Sequence, residues 1–428
     1  MFKTIYSKLA VLLMLPVTII ALLAAIPEPV NEVFPKETPQ KTFVPLAALD
    51  DPDNKISSDF KIPEELKART QFWFEIYTKY GRHDHVIHHV RFPWIVYRVV
   101  NTYDIESNLN WHRWTRYHKA RKEVQKTLTS IQQTLKRLAY KKTYQNLNRL
   151  EQELFDSLAD VKGSRKNVFL SAANNVRSQL GQRDFILTGL AESRPFMPLI
   201  EKMFTSAGLP VELSRLPFVE SSFNTHAYSK VGASGIWQIM PRTAKKYLVV
   251  NEHIDERNSP IKATEAAIGI FKENYRVLGR WDFALAGYNH GAYGIKRAVK
   301  KIKAASMIDI INKNKSESFQ FASANFYPSF LAMLHAYEYR ERINTELYWL
   351  AIDGSKSNTE YVLMKTKRRL RTKELTKLTG VTSAELSDLN PDLVNAIKSN
   401  LWLPKGFRIF LPLSVDTSRS KNIISSSN

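Results

Sequence analysis

The sequence predicts a mainly α-helical protein, and three observations carry that prediction. Glycine is scarce, 15 in 428 residues, which suits regular helices better than a turn-rich sheet protein. Val124, Leu128, Ile131, Leu135 and Leu138 recur at 4-3-4-3 spacing, and Leu147, Leu150, Leu154, Leu158 and Val161 resume at 3-4-4-3. That repeat is one apolar stripe along a helix. Helix punctuation recurs further on, with Pro210 and Pro260 at starts and Gly181, Gly208 and Gly279 at ends. At about 150 residues per domain the length predicts two or three domains.

The N-terminus opens with Lys3 and Lys8 ahead of an apolar run from Leu9 to Ile26. Pro16 and the alanines at 21, 24 and 25 suit a secretory signal peptide, and an uncleaved anchor is the alternative for residues 1–26. Either reading places the rest of the chain outside the cytoplasm, in the periplasm or cell envelope. Membrane association through this segment is possible. Residues 27–63 carry seven prolines with little periodicity and read as an extended linker, with structure starting near Glu64.

Residues 64–193 read as a helical N-terminal region. The aromatic stretch Phe72, Trp73, Phe74, Ile76, Tyr77, Tyr80 and the later Ile95, Val96, Tyr97 suggest two helices joined by a polar turn. His83, Asp84, His85, His88 and His89 fall in that turn. Their spacing is not that of a helical His-x-x-x-His pair, so a solvated loop is favoured over a metal site. The apolar stripes above form the next helix pair. Its opposite face bears Lys122, Lys126, Lys136, Arg137, Lys141 and Lys142, a solvated face or a surface for an anionic polymer. A further helix is expected over 168–180.

Met197–Ala207 is read as helical, and a helix starting at Pro210 carries Leu213, Leu216 and Val219 inward and ends around Glu220. A carboxyl behind Leu216, Phe218 and Val219, faced by Phe223 and Trp237, is poorly solvated when charged. Such a carboxyl would keep its proton near neutral pH, as a general acid requires, and a solvated Glu at a helix end is the alternative that these residues alone leave open. A Gly/Ser turn follows, Val231-Gly232-Ala233-Ser234-Gly235, and leads into Ile236-Trp237-Gln238. Ser259 is the expected N-cap and Pro260 the first residue of a long helix ended by Gly279. Trp281–Asn289 is the next helix, and Tyr327–Arg342 closes this unit. No Asp or Glu lies between Glu220 and Glu252, so a second carboxylate is not supplied locally.

The ordered elements Glu220-Ser221, Gly235-Ile236-Trp237-Gln238 and Tyr288-Asn289-His290-Gly291 resemble those of the family 23 lytic transglycosylases, the soluble-lytic-transglycosylase and goose-type lysozyme group. Within it the chain is most similar to the membrane-bound D-type branch. The resemblance covers 194–343 and implies a lysozyme-like helical catalytic domain acting on peptidoglycan glycan strands. It implies that Glu220 acts as acid and then as base. It also implies that Ser221, Trp237, Gln238, Tyr288, Asn289 and Tyr327 bind or frame the substrate, with core packing as the other reading of Trp237 and a plain helix-terminal serine as that of Ser221. No metal or organic cofactor is implied. The family's mechanism closes a 1,6-anhydro ring without water. Three departures stand out. Gly287 replaces Ala and His290 replaces Ser. Phe326 stands where the family has a Tyr, with Tyr327 beside it. The chain has no cysteine, so disulfides are excluded, as is the lipid-bearing cysteine of the lipoprotein relatives.

Residues 353–413 change character: a strand near Tyr361, two short helices, Asn390-Pro391, and a last strand over Phe407–Pro412. This is similar to a small α+β LysM module, a binder of N-acetylglucosamine glycans, although the usual Gly-Asp-Thr-Leu turn is missing. Residues 414–428 read as a disordered tail. The net charge of +21 attracts polyanions. Nucleic acid is set aside, because no zinc-finger spacing, RNP-like motif or P-loop is present. The expected function is lytic transglycosylation of peptidoglycan. A goose-type hydrolase and a non-catalytic wall-binding scaffold are the alternatives.

Overall fold

The computed structural model describes residues 44–314, 316–317, 319–343, 361–415 and 421–426. The apolar run of residues 9–26 lies outside them. Among the described residues no helix is long and apolar enough to cross a membrane. Two compact units emerge. One takes Phe43–Leu187 and Met307–Thr345, and the other takes Thr188–Ser306 and Glu346–Asn428.

The first unit begins earlier than the proline count suggests. A 3-10 turn over Pro45–Asp50 buries Ala48 and Leu49, and Ile56 and Phe60 are buried too. The Asp51 carboxylate fixes this strap. It accepts from the backbone N–H of Lys55 and Ile56, from Lys61 Nζ at 2.6 Å and from the Tyr339 hydroxyl at 2.7 Å. These bonds overcome its burial and hold its pKa down at about 2. Prolines here stiffen a packed segment instead of spacing two domains.

Helix α1 (Lys67–Thr78) is as expected, but the second expected helix is absent. Strands β1 (Asp84–His89) and β2 (Val96–Asn101) form an antiparallel pair, and β3 (Val176–Leu180) adds on the other side of β1. Val86, Ile87, Val96, Val99 and Val100 are β-branched and suit the pleat, which overrides the aromatic count that suggested helix. The His-rich stretch is therefore strand. His88 is fully buried, and burial lowers its pKa to about 3, so it is neutral. His83 pairs with Glu106 at 2.8 Å. Among the described residues no group of three or more His, Cys, Asp or Glu is arranged to hold a metal ion.

After α2 (Tyr103–Glu106) the apolar stripe becomes α3 (Arg113–Tyr140), followed by α4 (Arg149–Ser157) with an Asn148–Glu151 capping box. Ile131, Leu135, Leu138, Leu154, Leu158 and Phe169 share one core. Helix α5 (Arg165–Ala173) is shorter than expected, because the chain leaves it to form β3.

Helix α6 (Arg183–Ser193) leads into the second unit, which continues with α7 (Met197–Ser206), α8 (Leu216–Ser221), α9 (Pro241–Ala244), α10 (Pro260–Leu278), α11 (Trp281–His290) and α12 (Ala292–Ile302). The expected helix from Pro210 is broken. A 3-10 turn over Val211–Arg215 precedes α8, whose second residue is Pro217. Ser259 does not cap α10 with its side chain.

Helices α13 (Met307–Lys313), α14 (Phe321–Glu338) and α15 (Arg340–Ile343) return to the first unit. There α14 lies along α1, with Asn325 Oδ1 accepting from Arg69 and from Trp73 Nε1 at 3.1 Å. The expected boundary at residue 343 is thus corrected to 306. Sequence adjacency suggested that α14 closes the Glu220 unit, but the contacts of its buried face put it with α1.

The C-terminal segment belongs to the second unit. Strand β4 (Tyr361–Thr366) pairs with β7 (Arg408–Pro412) and with β8 (Ile424–Ser426). Short strands β5 (Leu370–Arg371) and β6 (Trp402–Leu403) make a second ladder. Helices α16 (Thr372–Thr379), α17 (Ser383–Leu389) and α18 (Val394–Lys398) complete the segment. Strand β8 corrects the expected disordered tail, since Ile423 and Ile424 are buried in this core. Ile254, from the loop ahead of α10, enters the same core. Lys262 of α10 is fully buried between Asp392 at 2.7 Å and Glu256 at 3.2 Å, its ammonium 4.0 Å from the Phe407 ring centre.

Candidate active site

Glu220 sits at the end of α8 because the turn that follows is unusual. Ser222 and Phe223 both adopt left-handed backbone, at φ 50° and 61°, without being glycine. That conformation costs free energy and persists only where packing enforces it. Here the enforcement is visible. Phe223 is fully buried against Phe218 at 5.3 Å and Phe196 at 6.3 Å. Helix α6 presses Gly189 against the turn so closely that a Cβ there would sit 2.0 Å from the Ser222 carbonyl oxygen.

Leu216, Phe218, Phe223 and Trp237 are all fully buried around the end of α8. Glu220 is partly exposed as a residue, with this apolar shell behind its carboxyl. Desolvation pushes its pKa from the ordinary 4.5 up to about 8. The apolar shell expected from the sequence backs this carboxyl, and the shift follows from burial alone.

Tyr288 on α11 faces the same carboxyl. Its own pKa is raised, first by burial and then by the charge of Glu220. The phenol donates to the Trp237 carbonyl at 2.8 Å, which fixes its position. Behind it, Tyr288 stacks on Phe271 of α10 at 5.2 Å. Asn274 of α10 donates to the Ala284 carbonyl and ties the two helices together. Asn289 follows Tyr288 and is half-buried beside it.

Three of the expected substrate contacts are instead turned inward. Trp237 is fully buried, stacks on Phe204 at 5.7 Å, and donates its indole N–H to Thr264 at 2.9 Å. It is a core residue, not a sugar platform. The Ser221 hydroxyl is buried within reach of the Pro217 carbonyl at 3.2 Å and the Ile236 carbonyl at 3.1 Å, so it pins α8 to the following loop. The Gln238 amide donates to the carbonyls of Gly235 at 2.9 Å and Ala227 at 3.3 Å. Its backbone is also left-handed, at φ 45°. Its NH2 holds the loop and is not free for an N-acetyl group. Tyr327 is buried within α14, in the other compact unit.

Sequence reasoning missed the residues that hold the loop. Arg257 donates to the Gly232 carbonyl at 2.6 Å and the Ile239 carbonyl at 3.1 Å, while Asp255 pairs with its other face at 2.7 Å. Ser234 donates to Asn258 at 2.6 Å. An Arg in a charged stretch between two helices carries no motif that distinguishes it from a surface residue. Gly235 is the one signal in the sequence. At φ 72° a Cβ there would meet the Arg257 carbonyl oxygen at 1.8 Å. Gly235→Ala will therefore lower stability by about 3 kcal/mol in urea unfolding, since neither backbone can yield cheaply. A loss below about 0.5 kcal/mol would mean the loop is looser than this.

Residues 198–311 match the protein-family model described as Transglycosylase SLT domain. Membrane-bound lytic murein transglycosylase D of Escherichia coli K12 is 35% identical over 114 residues, 26% of this chain and 25% of that protein. A putative tributyltin chloride resistance protein of Alteromonas sp. M-1 is 36% identical over 115 residues, 26% of this chain and 56% of that protein. Membrane-bound lytic murein transglycosylase C of Haemophilus ducreyi is 28% identical over 153 residues, 32% of this chain and 41% of that protein. The aligned part covers a quarter to just over half of these relatives, and the domain match over residues 198–311 contains Glu220 and Tyr288.

Proposed function

We propose that this chain, which carries a transglycosylase SLT domain, cleaves the MurNAc–GlcNAc β-1,4 bond of peptidoglycan without consuming water. The observation that carries the proposal is the Glu220 carboxyl, desolvated to a pKa of about 8 beside the tethered phenol of Tyr288. At neutral pH this group holds the proton that a glycosidic oxygen needs. Glu220 gives that proton to the bridging oxygen as the C1–O4 bond breaks. The resulting carboxylate takes the proton of the muramic 6-hydroxyl, and O6 closes on C1. The proton returns to Glu220 and the product carries a 1,6-anhydro ring. A single carboxyl suffices because the substrate supplies its own nucleophile.

The supports are the buried carboxyl, the domain match over residues 198–311 and the transglycosylase names of two relatives. The test is the mass of muropeptides released from purified sacculi. An anhydro end is lighter by one water than the reducing end a goose-type hydrolase leaves. Only reducing ends, or no release at all, would sink the reading. By the same reading the chain acts at the cell envelope.

The C-terminal segment is read as a LysM-like glycan binder. Trp402 is 43% exposed on β6, flanked by the guanidinium groups of Arg369 at 4.8 Å and Arg371 at 5.0 Å. An exposed aromatic ring with guanidinium donors lying over it offers a sugar both apolar contact and hydrogen bonds. Trp402→Ala will weaken pelleting with sacculi roughly fivefold, as one lost stacking contact of about 1 kcal/mol implies. Unchanged pelleting would remove the module from wall binding.

A further inference from the structure

The first unit exposes a second surface that the wall chemistry does not use. Between α2 and the N-terminal half of α3 the chain turns outward and presents large apolar side chains to solvent. Leu109 is 86% exposed, Trp114 66%, Tyr103 56% and Tyr117 41%. A buried face holds α3 in place through Ala120 and Val124, so these side chains are not spare core. The His112 ring accepts from the Trp114 backbone N–H at 3.2 Å and starts the helix at this point. Trp114 lies against His118 at 3.8 Å, and the Lys119 ammonium sits 3.5 Å from the Trp111 ring centre.

The charge around this tip is net positive. From Tyr103 to Lys126 the chain has six basic residues, Arg113, Arg116, Lys119, Arg121, Lys122 and Lys126, and three acids, Asp104, Glu106 and Glu123, two of them in α2. On the helix, Trp114, Tyr117, His118 and Arg121 share one face. The pattern is therefore an aromatic and aliphatic tip whose α3 side is cationic.

We propose that this tip docks on an anionic phospholipid bilayer. Trp and Tyr rings settle at the headgroup level, where one edge is apolar and the other wet, and Lys and Arg meet lipid phosphates. The exposed leucine separates this occupant from a soluble polyanion. A phosphate or teichoic polymer rewards the cations but gives Leu109 and the face of Trp114 nothing to enter. A bilayer satisfies both. Docking here holds the first unit against the membrane through its own surface, independently of the apolar run at residues 9–26.

The chain has no cysteine, so one introduced thiol labels one place. The purified full chain with Asn110→Cys carries an environment-sensitive fluorophore and is mixed with vesicles containing nitroxide-labelled lipid. The expected result is strong quenching with phosphatidylcholine–phosphatidylglycerol vesicles and little with phosphatidylcholine alone. The quenching weakens as salt rises. The same label placed through Lys142→Cys, beyond the other end of α3, stays unquenched. Trp114→Ala with Tyr117→Ala, and separately Arg121→Glu with Lys122→Glu, each lower vesicle partition at position 110 by roughly tenfold. All four side chains are exposed, and unchanged thermal unfolding checks that each variant folds. Vesicle binding without quenching at position 110 would assign the attachment to the N-terminal run and overturn the proposal. So would a charge-reversal loss with no effect of the aromatic pair and full displacement by inorganic polyphosphate, which would mark a polyanion site.

Discussion

Glu220→Gln will abolish release of soluble muropeptides from purified sacculi, a loss of roughly a thousandfold in rate, while sedimentation with the wall is retained. The amide keeps the shape of the carboxyl but can neither donate a proton to the leaving oxygen nor take one from the 6-hydroxyl. The pH profile carries the same information with the sign fixed by burial. On the proposed mechanism the acid form is required, and burial puts its pKa at about 8, so wild-type kcat/KM falls as pH rises through about 8. Stability follows the same titration. A carboxyl whose folded pKa is raised contributes stability that is complete below its unfolded value and is lost as pH rises through the folded one. Above pH 8 the wild type carries the cost of a buried charge, at most on the order of 5 kcal/mol. Glu220→Gln will then unfold at higher temperature than wild type at alkaline pH and at the same temperature in acid. An activity plateau extending well above pH 8, with no such difference in unfolding, would mean that the carboxyl is solvated.

Asp392→Ala is the second large effect and acts through a buried ion pair remote in sequence from Glu220. Lys262 is fully buried with Asp392 and Glu256 as its anionic partners. Desolvation holds the Asp392 pKa above the usual carboxylate range, and the attraction of Lys262 opposes it. Removing Asp392 leaves an ammonium short of charge in an apolar setting, which costs about 3–5 kcal/mol. The double change Lys262→Met with Asp392→Leu removes both charges and will recover most of that loss. Chemical unfolding of the three proteins measures it. Asp392→Ala within about 1 kcal/mol of wild type would mean that water reaches the pair. The damage will extend to the cleft. Lys262 lies in the first turn of α10, and Thr264 two residues on holds the indole N–H of Trp237, whose carbonyl anchors Tyr288.

The helices were legible where the apolar period is long. The stripe of α3 and the start and stop of α10 and α11 are written in residue spacing, in Pro260 and in Gly279. The three-stranded sheet was not legible. Phe72 to Tyr80 and Ile95 to Tyr97 are both apolar and aromatic, and only the pairing of Val86 and Ile87 with Val99 and Arg98 decides that the second stretch is strand. The reach of the first unit was hidden too. Nothing local says that Asp51 will bind a tyrosine far along the chain.

The sequence by itself determined that a carboxyl follows an apolar run, and that a Gly/Ser turn and a Tyr-Asn pair come after it in order. Such features depend on neighbours a few residues away. Only the tertiary structure decided which side chains face the cleft. Trp237, Ser221 and Gln238 spend their donors on carbonyls and a hydroxyl that the folded chain brings to them, because a buried donor left unpaired costs more than a substrate contact returns. The same physics, desolvation by residues remote in sequence, is what turns Glu220 from an ordinary carboxylate into an acid.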